Sequence, residues 1–404
     1  MSARDVIIVG AGPIGLATAA LLARTPAAGE HRIRVIDAAP RTTWNRTHTD
    51  LRVYALSRSA AEVLSQAGAL PAIEAGRVSP YQTMRIWEGA SFQSAAQLCF
   101  DSAEIAEPNL GHIVEDCLIR TALCAVLESA PGVEIVFERR LESVELGERE
   151  VCVRLEGTAA PLRGAVVIGA DGGRSVVRQA ANLPGLERDY RQMAIVAHVV
   201  CEHSHARTAW QRFLPGGPLA LLPLIDGRCS IVWSLPTDSA RTLLAAPREQ
   251  FERRLTLASG QVLGNLRLDT DRIAVPLMAR HVWRYCRPRL ALAGDAAHTV
   301  HPLAGQGVNL GLADAAELAA KLSAAIAAGQ DPGDLRVLRR YERARVAPNM
   351  LMLGALDSLD RLFRAPRILA PLRAAGLSLV DRLPVLKRSL IRHAAGSAAA
   401  APRS

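Results

Sequence analysis

The sequence lacks close cysteine pairs. Its seven cysteines include no C-x-x-C motif and are odd in number: Cys99, Cys117, Cys124, Cys152, Cys201, Cys229 and Cys286. Such spacing is typical of neither a disulfide framework nor a zinc site. We therefore expect reduced, mostly buried thiols. We also expect no metal, because no cluster of side chains has metal-ligand spacing.

The sequence also lacks a continuous apolar segment near its start. Residues 6–23 carry no charge, but Gly10, Gly12, Pro13 and Gly15 interrupt them. Glycine and proline at these positions fit a turn rather than a membrane-spanning helix or a removable signal. We therefore expect a cytoplasmic protein.

Lysine is scarce, since only Lys321 and Lys387 occur in 404 residues, and arginine supplies most of the positive charge. The net charge of +9 is unevenly distributed. Residues 335–404 hold 14 Arg and Lys against 4 Asp and Glu, a surplus of ten, so the rest of the chain is almost neutral. No recognised nucleic-acid fold and no interleaving of aromatic and basic residues accompanies this charge, so we expect no nucleic-acid partner.

The chain begins with a predicted β-turn-α-β unit. Residues 5–9 predict a short buried strand, residues 16–24 a helix, and residues 32–36 a second strand that ends at Asp37. Further on, residues 193–235 combine β-branched residues with turn signals, which indicates an antiparallel sheet and a second domain. The fold class is therefore α/β.

The turn in the first unit reads Gly10-x-Gly12-x-x-Gly15. These glycines permit a tight turn and close approach of a pyrophosphate to the backbone, and the following helix N-terminus offers free N–H groups. Asp37, 22 residues after Gly15, suits the hydroxyls of a ribose. The alternative is a glycine turn that only packs helix on strand. The motif favours a dinucleotide without specifying which one.

A second motif spans residues 166–178, where an apolar strand runs into Asp171-Gly172 and a helix that begins near Ser175. Taken alone, Asp-Gly is a common turn. Its place in the chain, between the first motif and the third, gives it weight.

The third motif spans residues 290–310, where Gly294-Asp295 follows a strand and residues 305–309 precede a helix. A carboxylate after a strand can accept hydrogen bonds from a ribityl hydroxyl. Backbone donors at a helix start suit the edge of a flavin ring, where negative charge develops on reduction. His298 and His301 flank the motif. They form no evident acid–base dyad, and we expect them to order the turn through hydrogen bonds.

Together, the three motifs resemble the para-hydroxybenzoate hydroxylase class of flavoprotein monooxygenases. The third motif, GDAAHTVHPLAGQGVNLG, resembles the ubiquinone-biosynthesis hydroxylases. Residues 51–57, 110–116 and 212–223 resemble further segments of that family, and residues 376–392 are most similar to its UbiI branch.

The resemblance implies a Rossmann-like FAD-binding domain, an interleaved antiparallel-sheet substrate domain and a helical C-terminal segment. We predict these boundaries: FAD-binding domain, residues 1–72, 101–178 and 275–330; substrate domain, residues 73–100 and 179–274; helical segment, residues 331–396; disordered tail, residues 397–404.

The resemblance also implies the site residues. Those that match cofactor-binding positions of the family are Gly10, Gly12, Pro13, Ile14, Gly15, Asp37, Arg52, Glu115, Asp171, Gly172, Gly294, Asp295, Pro302, Gly305, Gly307, Val308 and Asn309. Arg52 and Gln306 are the candidates for positions beside the isoalloxazine. No residue is assigned as catalytic, because the flavin supplies the chemistry.

The activity that the resemblance implies is hydroxylation of a polyprenylphenol in ubiquinone biosynthesis, at C5 as in the UbiI branch, through a C4a-hydroperoxyflavin and O2. NAD(P)H or another donor would visit transiently, because a second G-x-G-x-x-G motif is lacking. Other ubiquinone-biosynthesis proteins are candidate partners. The alternatives are another ring position, another phenol, or a catalytically silent flavin-binding scaffold.

The C-terminal segment carries an apolar stripe with basic neighbours. Leu379, Leu383, Leu386 and Leu390 recur at helical spacing, and Arg382, Lys387, Arg388 and Arg392 lie among them. This pattern suits an anionic lipid surface or a partner protein. Because the implied substrate is membrane-bound, we predict peripheral association at the inner face of the cytoplasmic membrane. The alternative is an ordinary helix packed on the catalytic domain. We predict that the helices of this segment break at Pro348, Pro366, Pro371 and Pro384.

Overall fold

A computed structural model describes residues 5–25, 31–89, 92, 96–300, 305–364, 381 and 383–396. Several sequence predictions fall outside these residues. They concern His301, Pro302, Pro366, Pro371, Leu379, Arg382 and the tail 397–404.

The strands alternate with helices in the first part of the chain and follow one another directly in the middle part. In chain order the strands are β1 Val6–Val9, β2 Ile33–Ile36, β3 Val53–Ser57, β4 Val78–Tyr81, β5 Thr83–Glu88, β6 Ala96–Asp101, β7 Gly111–Glu115, β8 Val133–Val136, β9 Leu141–Leu146, β10 Val151–Leu155, β11 Leu162–Gly164, β12 Val166–Gly169, β13 Gly185–Cys201, β14 Thr208–Leu214, β15 Gly217–Pro223, β16 Cys229–Pro236, β17 Leu266–Leu268, β18 Ile273–Val282, β19 Cys286–Arg287, β20 Leu290–Leu292 and β21 His298–Thr299.

The helices lie mainly around the first sheet and at the C-terminal end. They are α1 Pro13–Ala23, α2 Arg58–Gln66, α3 Leu70–Glu74, α4 Asp116–Glu128, α5 Val176–Ala180, α6 Thr237–Ala245, α7 Arg248–Ala258, α8 Gln306–Ala327, α9 Leu335–Arg364 and α10 Pro384–Ala395.

The first sheet has six strands in the order β19-β20-β12-β1-β2-β8. All neighbours run parallel except β19 and β20. The residues of β1 and β12 are buried without alternation, as expected for parallel strands that are covered on both faces. Helix α1 packs against α8 and α4, and the largest apolar core of the protein forms around this sheet.

The second large sheet has nine strands and is mostly antiparallel. Its order is β21-β18-β13-β16-β15-β14-β5-β6, and β17 also pairs with β13. One face packs under α6 and α7, where a separate apolar core forms. Two three-stranded sheets, β3-β7-β4 and β11-β10-β9, complete the architecture. The predicted α/β fold, with an antiparallel second sheet and a helical C-terminal segment, is confirmed.

The predicted domain boundaries remain predictions. The nine-stranded sheet takes β5 and β6 from the first predicted substrate segment and most of its strands from the second. It also takes most of β18, and all of β21, from beyond residue 275. One sheet therefore crosses the boundary that the sequence suggested there.

Of the helix breaks predicted at prolines, the one at Pro348 is wrong and the one at Pro384 is confirmed. Helix α9 continues through Pro348, which lies inside it. A proline removes one intrahelical hydrogen bond, and a long helix held by tertiary contacts on both sides can tolerate that loss. The predicted break at Pro384 is confirmed. Asp381 is helical, Leu383 is not, and Pro384 is the first residue of α10, a position where the missing N–H would have no intrahelical partner in any case.

Candidate functional site

The turn between β1 and α1 has the geometry that the glycine motif predicts. Gly10 has a φ of +111°, and a side chain there would lie 2.2 Å from the carbonyl oxygen of Ala170. A Cβ at Gly15 would lie 1.9 Å from the carbonyl oxygen of Gly10. These two glycines are required by the protein itself, because α1 and β12 approach the turn too closely for any side chain.

Gly12 differs from its neighbours, because nothing in the structure needs it to be glycine. Its φ of −76° is ordinary extended backbone, and a Cβ there would meet no atom within 4 Å. Gly12 is also the N-cap of α1, which has neither a side-chain cap nor an acidic residue in its first turn. The open space and the uncapped helix start together form a cradle that fits a pyrophosphate.

Asp37 lies at the end of β2, beside this cradle. Its carboxylate accepts hydrogen bonds from the backbone N–H groups of Ala11, at 2.6 Å, and Ala39, at 2.7 Å. The carboxylate therefore helps to hold the glycine turn, and its remaining lone pairs are available to a ribose hydroxyl.

The third motif folds into a second turn whose end caps α8. Gly294 and Gly305 have φ values of +59° and +63°, the left-handed region that favours glycine. Gly305 precedes Gln306, the first residue of α8, and a Cβ at Gly305 would lie 3.3 Å from the Cβ of Ala55 in β3. The turn and β3 are thus neighbours, as expected if both flank one flavin.

Asn309 joins these two segments directly. Its side chain accepts a hydrogen bond from the Ser57 N–H at 2.9 Å and donates one to the Ala55 carbonyl at 3.0 Å. Gly307 leaves room between Asp295 and Val300, whose atoms would lie 3.9 and 3.8 Å from its Cβ. Asn309 therefore fixes the backbone donors of residues 305–309 against β3.

Arg52 and Asp295 lie close enough to interact electrostatically. The pKa of Arg52 is raised first by Tyr54, over whose ring the guanidinium lies at 5.7 Å, and also by Asp116 and Asp295, against the effect of burial. Burial raises the pKa of Asp295, and His298 and Arg52 oppose that shift. Arg52, in the segment of residues 51–57, is thereby linked electrostatically to Asp295 of the third motif.

The second motif lies next to the turn of the third motif and is connected to it. One oxygen of Asp171 accepts the N–H groups of Val176, at 2.7 Å, and Val177, at 3.2 Å. Its other oxygen is buried and has no hydrogen-bond partner among the described residues, which fits a cofactor hydroxyl. Gly172 has a φ of +77°, and a Cβ there would meet nothing within 4 Å. Arg178 donates to the carbonyl of Ala296 at 3.0 Å and so connects the second motif to the third.

Glu115 is placed differently from the other predicted cofactor residues. Its carboxylate is buried and accepts from Arg77 Nε at 2.9 Å, Trp44 Nε1 at 3.1 Å and the Asp50 N–H at 2.7 Å. Protein donors therefore occupy both oxygens of the Glu115 carboxylate. Its evident role is to hold residues 44–50, the segment that leads into Arg52.

His298 belongs to a buried polar network that the sequence did not predict. Its Nε2 lies 2.5 Å from Asp314 in α8. Asp314 also accepts the Gly294 N–H at 3.1 Å, Arg345 Nε at 2.7 Å and Asn349 Nδ2 at 3.0 Å. The expectation that His298 orders its turn by hydrogen bonding agrees with this geometry. The sequence feature that could have predicted this network is Asp314, a charged residue among the buried apolar positions of α8.

The network continues to His281, which predicts a pH dependence of stability. Burial lowers the pKa of His281 to about 4, with His298 acting in the same direction and Asp314 opposing. The unfolded chain binds a proton below pH 6.5, whereas the folded chain does not until about pH 4. The free energy of unfolding should therefore fall between pH 6.5 and 4, by at most about 1.4 kcal/mol per pH unit from this residue.

Urea unfolding at pH 7 and pH 5 checks this expectation. His281→Gln, which does not titrate, should lose less stability over the interval than the wild type. Equal losses in the two proteins would contradict the assignment.

Comparison with known proteins identifies the family. A family model described as "FAD binding domain" matches residues 3–353. The chain belongs to this family and is an FAD-dependent monooxygenase. It is 37% identical over 402 residues to the ubiquinone hydroxylase UbiL of Rhodospirillum rubrum, covering 97% of this chain and 90% of that protein. It is 35% identical over 404 residues to the 3-demethoxyubiquinol 3-hydroxylase of Escherichia coli, covering 97% and 98%.

A solved structure agrees with the fold of this monooxygenase. PqsL, a probable FAD-dependent monooxygenase from Pseudomonas aeruginosa, is 26% identical, and the match has a TM-score of 0.78 over 93% of this chain and 99% of that one. The predicted membership in the ubiquinone-biosynthesis hydroxylases is confirmed by the curated relatives. FAD is the cofactor, and the cradle at Gly12 and the unpartnered oxygen of Asp171 fit it.

A further prediction concerns Arg52. Arg52→Ala should weaken FAD binding roughly tenfold or more, the size of one charge-assisted hydrogen bond, or should uncouple oxygen consumption from hydroxylation. Fluorescence titration of the apoprotein with FAD measures the first effect, and peroxide release measures the second. Arg46→Ala is the control, because Arg46 lies over Trp44 in the preceding loop. Wild-type behaviour of Arg52→Ala in both assays would remove Arg52 from the site.

Proposed function

We propose that this monooxygenase hydroxylates the ring of a polyprenylphenol intermediate of ubiquinone biosynthesis. The observation that carries the proposal is its similarity, over nearly the whole chain, to two proteins named as ubiquinone-biosynthesis hydroxylases. A buried apolar cluster lies next to the turn that begins at Gly294 and ends at Gly305, here called the flavin turn, and it would shield an apolar substrate from water. The cluster consists of Phe213, Val300, Leu310, Leu356 and Phe363.

The residues of the chain have distinct roles in this proposal. The cradle at Gly12 and the start of α1 bind the pyrophosphate, Asp37 binds the ribose, and Asp295 binds the ribityl chain. Bound FAD would take up two electrons from NAD(P)H or another donor and pass them to O2. The apolar cluster around Phe213 and Val300 excludes water and positions the phenol ring.

The proposed ring position is C5. The Escherichia coli relative is named for position 3, which makes another carbon the main alternative. Quinone-intermediate profiling of a deletion strain decides between them, because the intermediate that accumulates lacks the hydroxyl that this protein adds. An unchanged quinone profile would overturn the proposed pathway.

Turnover of a phenol has a direct test, which also separates the enzyme from the catalytically silent scaffold considered from the sequence. Purified protein that is yellow and consumes oxygen with NAD(P)H or another donor, and with a short-chain prenylphenol, supports the enzyme. The donor is proposed to visit transiently, since the sequence holds one G-x-G-x-x-G motif. Bound FAD without donor-dependent turnover on any phenol would favour the scaffold.

We further propose peripheral attachment to the inner face of the cytoplasmic membrane, where other ubiquinone-biosynthesis proteins would be partners. No helix in the described part of the chain combines the length and the apolar character needed to cross a bilayer. The C-terminal helices instead expose large apolar side chains: Met350, Leu351, Leu359, Leu362, Leu383, Val385 and Leu390. Such exposure, with a surplus of ten positive charges in residues 335–404, is typical of an interfacial surface.

Part of this charge is used inside the protein. Lys387 is nearly buried and pairs with Glu104 at 2.8 Å and Asp381 at 3.0 Å, and Ile391 is buried against the body. Helix α10 is thus packed on the catalytic domain through one side, as the alternative for this segment predicted. Leu383, Val385 and Leu390 remain exposed.

Liposome sedimentation tests this surface. The double variant Val385→Glu, Leu390→Glu should lose most binding to vesicles that contain phosphatidylglycerol, and salt should weaken wild-type binding. Ile225→Glu is the control, because Ile225 is 55% exposed on the nine-stranded sheet domain. Wild-type binding by the double variant would place the membrane contact elsewhere.

A further inference from the structure

A pocket of about 310 Å³ lies between the nine-stranded sheet and the two helices that cover one of its faces. The residues that line it belong to β16, α6 and α7, and they are Trp233, Leu235, Ser239, Leu243, Arg254 and Leu257. Sites for small molecules in proteins have volumes of roughly 300–1,000 Å³. The pocket is therefore large enough for one small ligand.

This pocket lies on the opposite face of the sheet from the candidate cofactor site. Trp233 belongs to the apolar core under α6 and α7, whereas its neighbour in β16, Val232, packs with Leu353 of α9. Leu353 in turn packs against the cluster that contains Val300 and Leu310, next to the flavin turn. Successive side chains of a strand point to opposite faces, so the sheet separates a ligand in this pocket from the flavin.

Most of the pocket wall is apolar, with a buried floor and an open rim. Trp233 and Leu243 are only 6% and 3% exposed. The indole of Trp233 packs edge-on against the ring of Phe251 in α7, with the ring centroids 6.3 Å apart, which fixes the floor. Leu257 at the rim is 69% exposed. Covering apolar surface of this kind is favourable, so the pocket suits a ligand with an apolar body.

The charged group of the pocket is Arg254, which is exposed and has no ion pair or hydrogen bond within the described part of the chain. No aspartate or glutamate lines the pocket, and none stands three or four positions from Arg254 in α7, where a helical ion pair would form. The indole N–H of Trp233 is buried and also lacks a partner among the described residues. A guanidinium and an indole only donate hydrogen bonds, so the complementary ligand carries a negatively charged acceptor.

We propose that this pocket binds a small amphipathic carboxylate, such as a medium-chain fatty acid. The alkyl chain packs on the apolar floor at Trp233 and Leu243. The carboxylate accepts hydrogen bonds from the guanidinium of Arg254, whose planar fork matches its two oxygens. The bound ligand contacts β16, α6 and α7 together. The site is additional to the proposed hydroxylase activity and does not depend on it.

Isothermal titration calorimetry of the holoenzyme with decanoate and with decanol tests this site. The two probes share their chain and differ in the charge of the head group. Decanoate should bind about threefold to tenfold more tightly than decanol, as expected for an ion pair with a solvent-exposed arginine, and added salt should reduce this ratio. The flavin absorbance should not change, because the sheet lies between the pocket and FAD.

Arg254→Gln should remove the preference, so that decanoate binds no more tightly than decanol. Arg253→Gln is the matched control, because Arg253 is the adjacent exposed arginine of α7 and does not line the pocket. This control changes the net charge equally and should keep the wild-type ratio. Ser239→Trp, at an exposed position of α6, should fill the pocket and abolish the binding of both probes while the thermal transition stays near that of the wild type.

Three results would overturn the site. The first is equal affinity of the wild type for decanoate and decanol, which would reduce the pocket to an apolar groove. The second is a wild-type ratio in Arg254→Gln. The third is decanoate binding that survives in folded Ser239→Trp and shifts the flavin spectrum, which would place the ligand beside the cofactor. Because the readout is binding, the outcome is independent of whether the protein hydroxylates a phenol.

Discussion

Gly12→Val should yield a folded protein without FAD. The backbone at Gly12 has a φ of −76°, which valine adopts without strain, and a side chain there meets no protein atom within 4 Å. The space that the valine methyl groups would fill is the cradle for the pyrophosphate. The variant should therefore keep a thermal transition near that of the wild-type apoprotein, and its ratio of FAD to protein should fall close to zero.

Two other glycines make the result specific. Gly354 in α9 is exposed and, like Gly12, has no neighbour within 4 Å, so Gly354→Val should keep both stability and FAD. Gly15→Val should instead prevent folding, because its Cβ would overlap the carbonyl oxygen of Gly10. Circular dichroism and flavin absorbance of the purified proteins separate the three outcomes. A Gly12→Val protein that retains FAD at the wild-type ratio would show that the cofactor lies elsewhere.

The contrast between these glycines explains why the first motif could be predicted from sequence. Gly10 and Gly15 act within one turn, over five residues, and the alternation of strand and helix around them is visible in the apolar pattern. Ile7 in β1 and Val167 in β12 are paired in parallel and fully buried, as expected for parallel strands that are covered on both faces. Local geometry of this kind is encoded by neighbouring residues.

The roles of Glu115 and Asp314 were beyond such reasoning. Glu115 matches a cofactor position by motif, yet Arg77 and Trp44, which are 38 and 71 residues away, occupy its carboxylate. Asp314 meets His298 and Arg345 only because α8 and α9 pack together behind the flavin turn. The local rule likewise predicts a helix break at Pro348, and the helix continues there because α9 is held by contacts on both sides. Long-range partners override what each residue indicates alone.

Asp314→Asn should strongly destabilise the protein, and it should also release FAD. Four donors converge on the two carboxylate oxygens. Arg345 and Asn349 donate to Oδ1, and Gly294 and His298 meet Oδ2. In asparagine one of these oxygens becomes an NH2 group, which faces two donors. Removing one member of a buried ion pair typically lowers the free energy of unfolding by about 3–5 kcal/mol.

The loss should reach the cofactor, because Asp314 holds the N–H of Gly294 and the ring of His298 on either side of Asp295. Glu342→Gln supplies the matched control. Glu342 is a buried carboxylate of α9 that accepts the N–H groups of Tyr285, at 2.8 Å, and Cys286 at 3.2 Å.

The control should lose about 1–3 kcal/mol of stability, yet it should bind FAD normally, because Glu342 holds β19 and not the flavin turn. Urea unfolding of the apoproteins gives the stabilities, and fluorescence titration with FAD gives the dissociation constants. If Asp314→Asn and Glu342→Gln bind FAD equally well, then Asp314 stabilises the fold without positioning the flavin turn. If only Asp314→Asn is impaired, this buried carboxylate of α8 positions the cofactor site, although it lies outside the three flavin motifs.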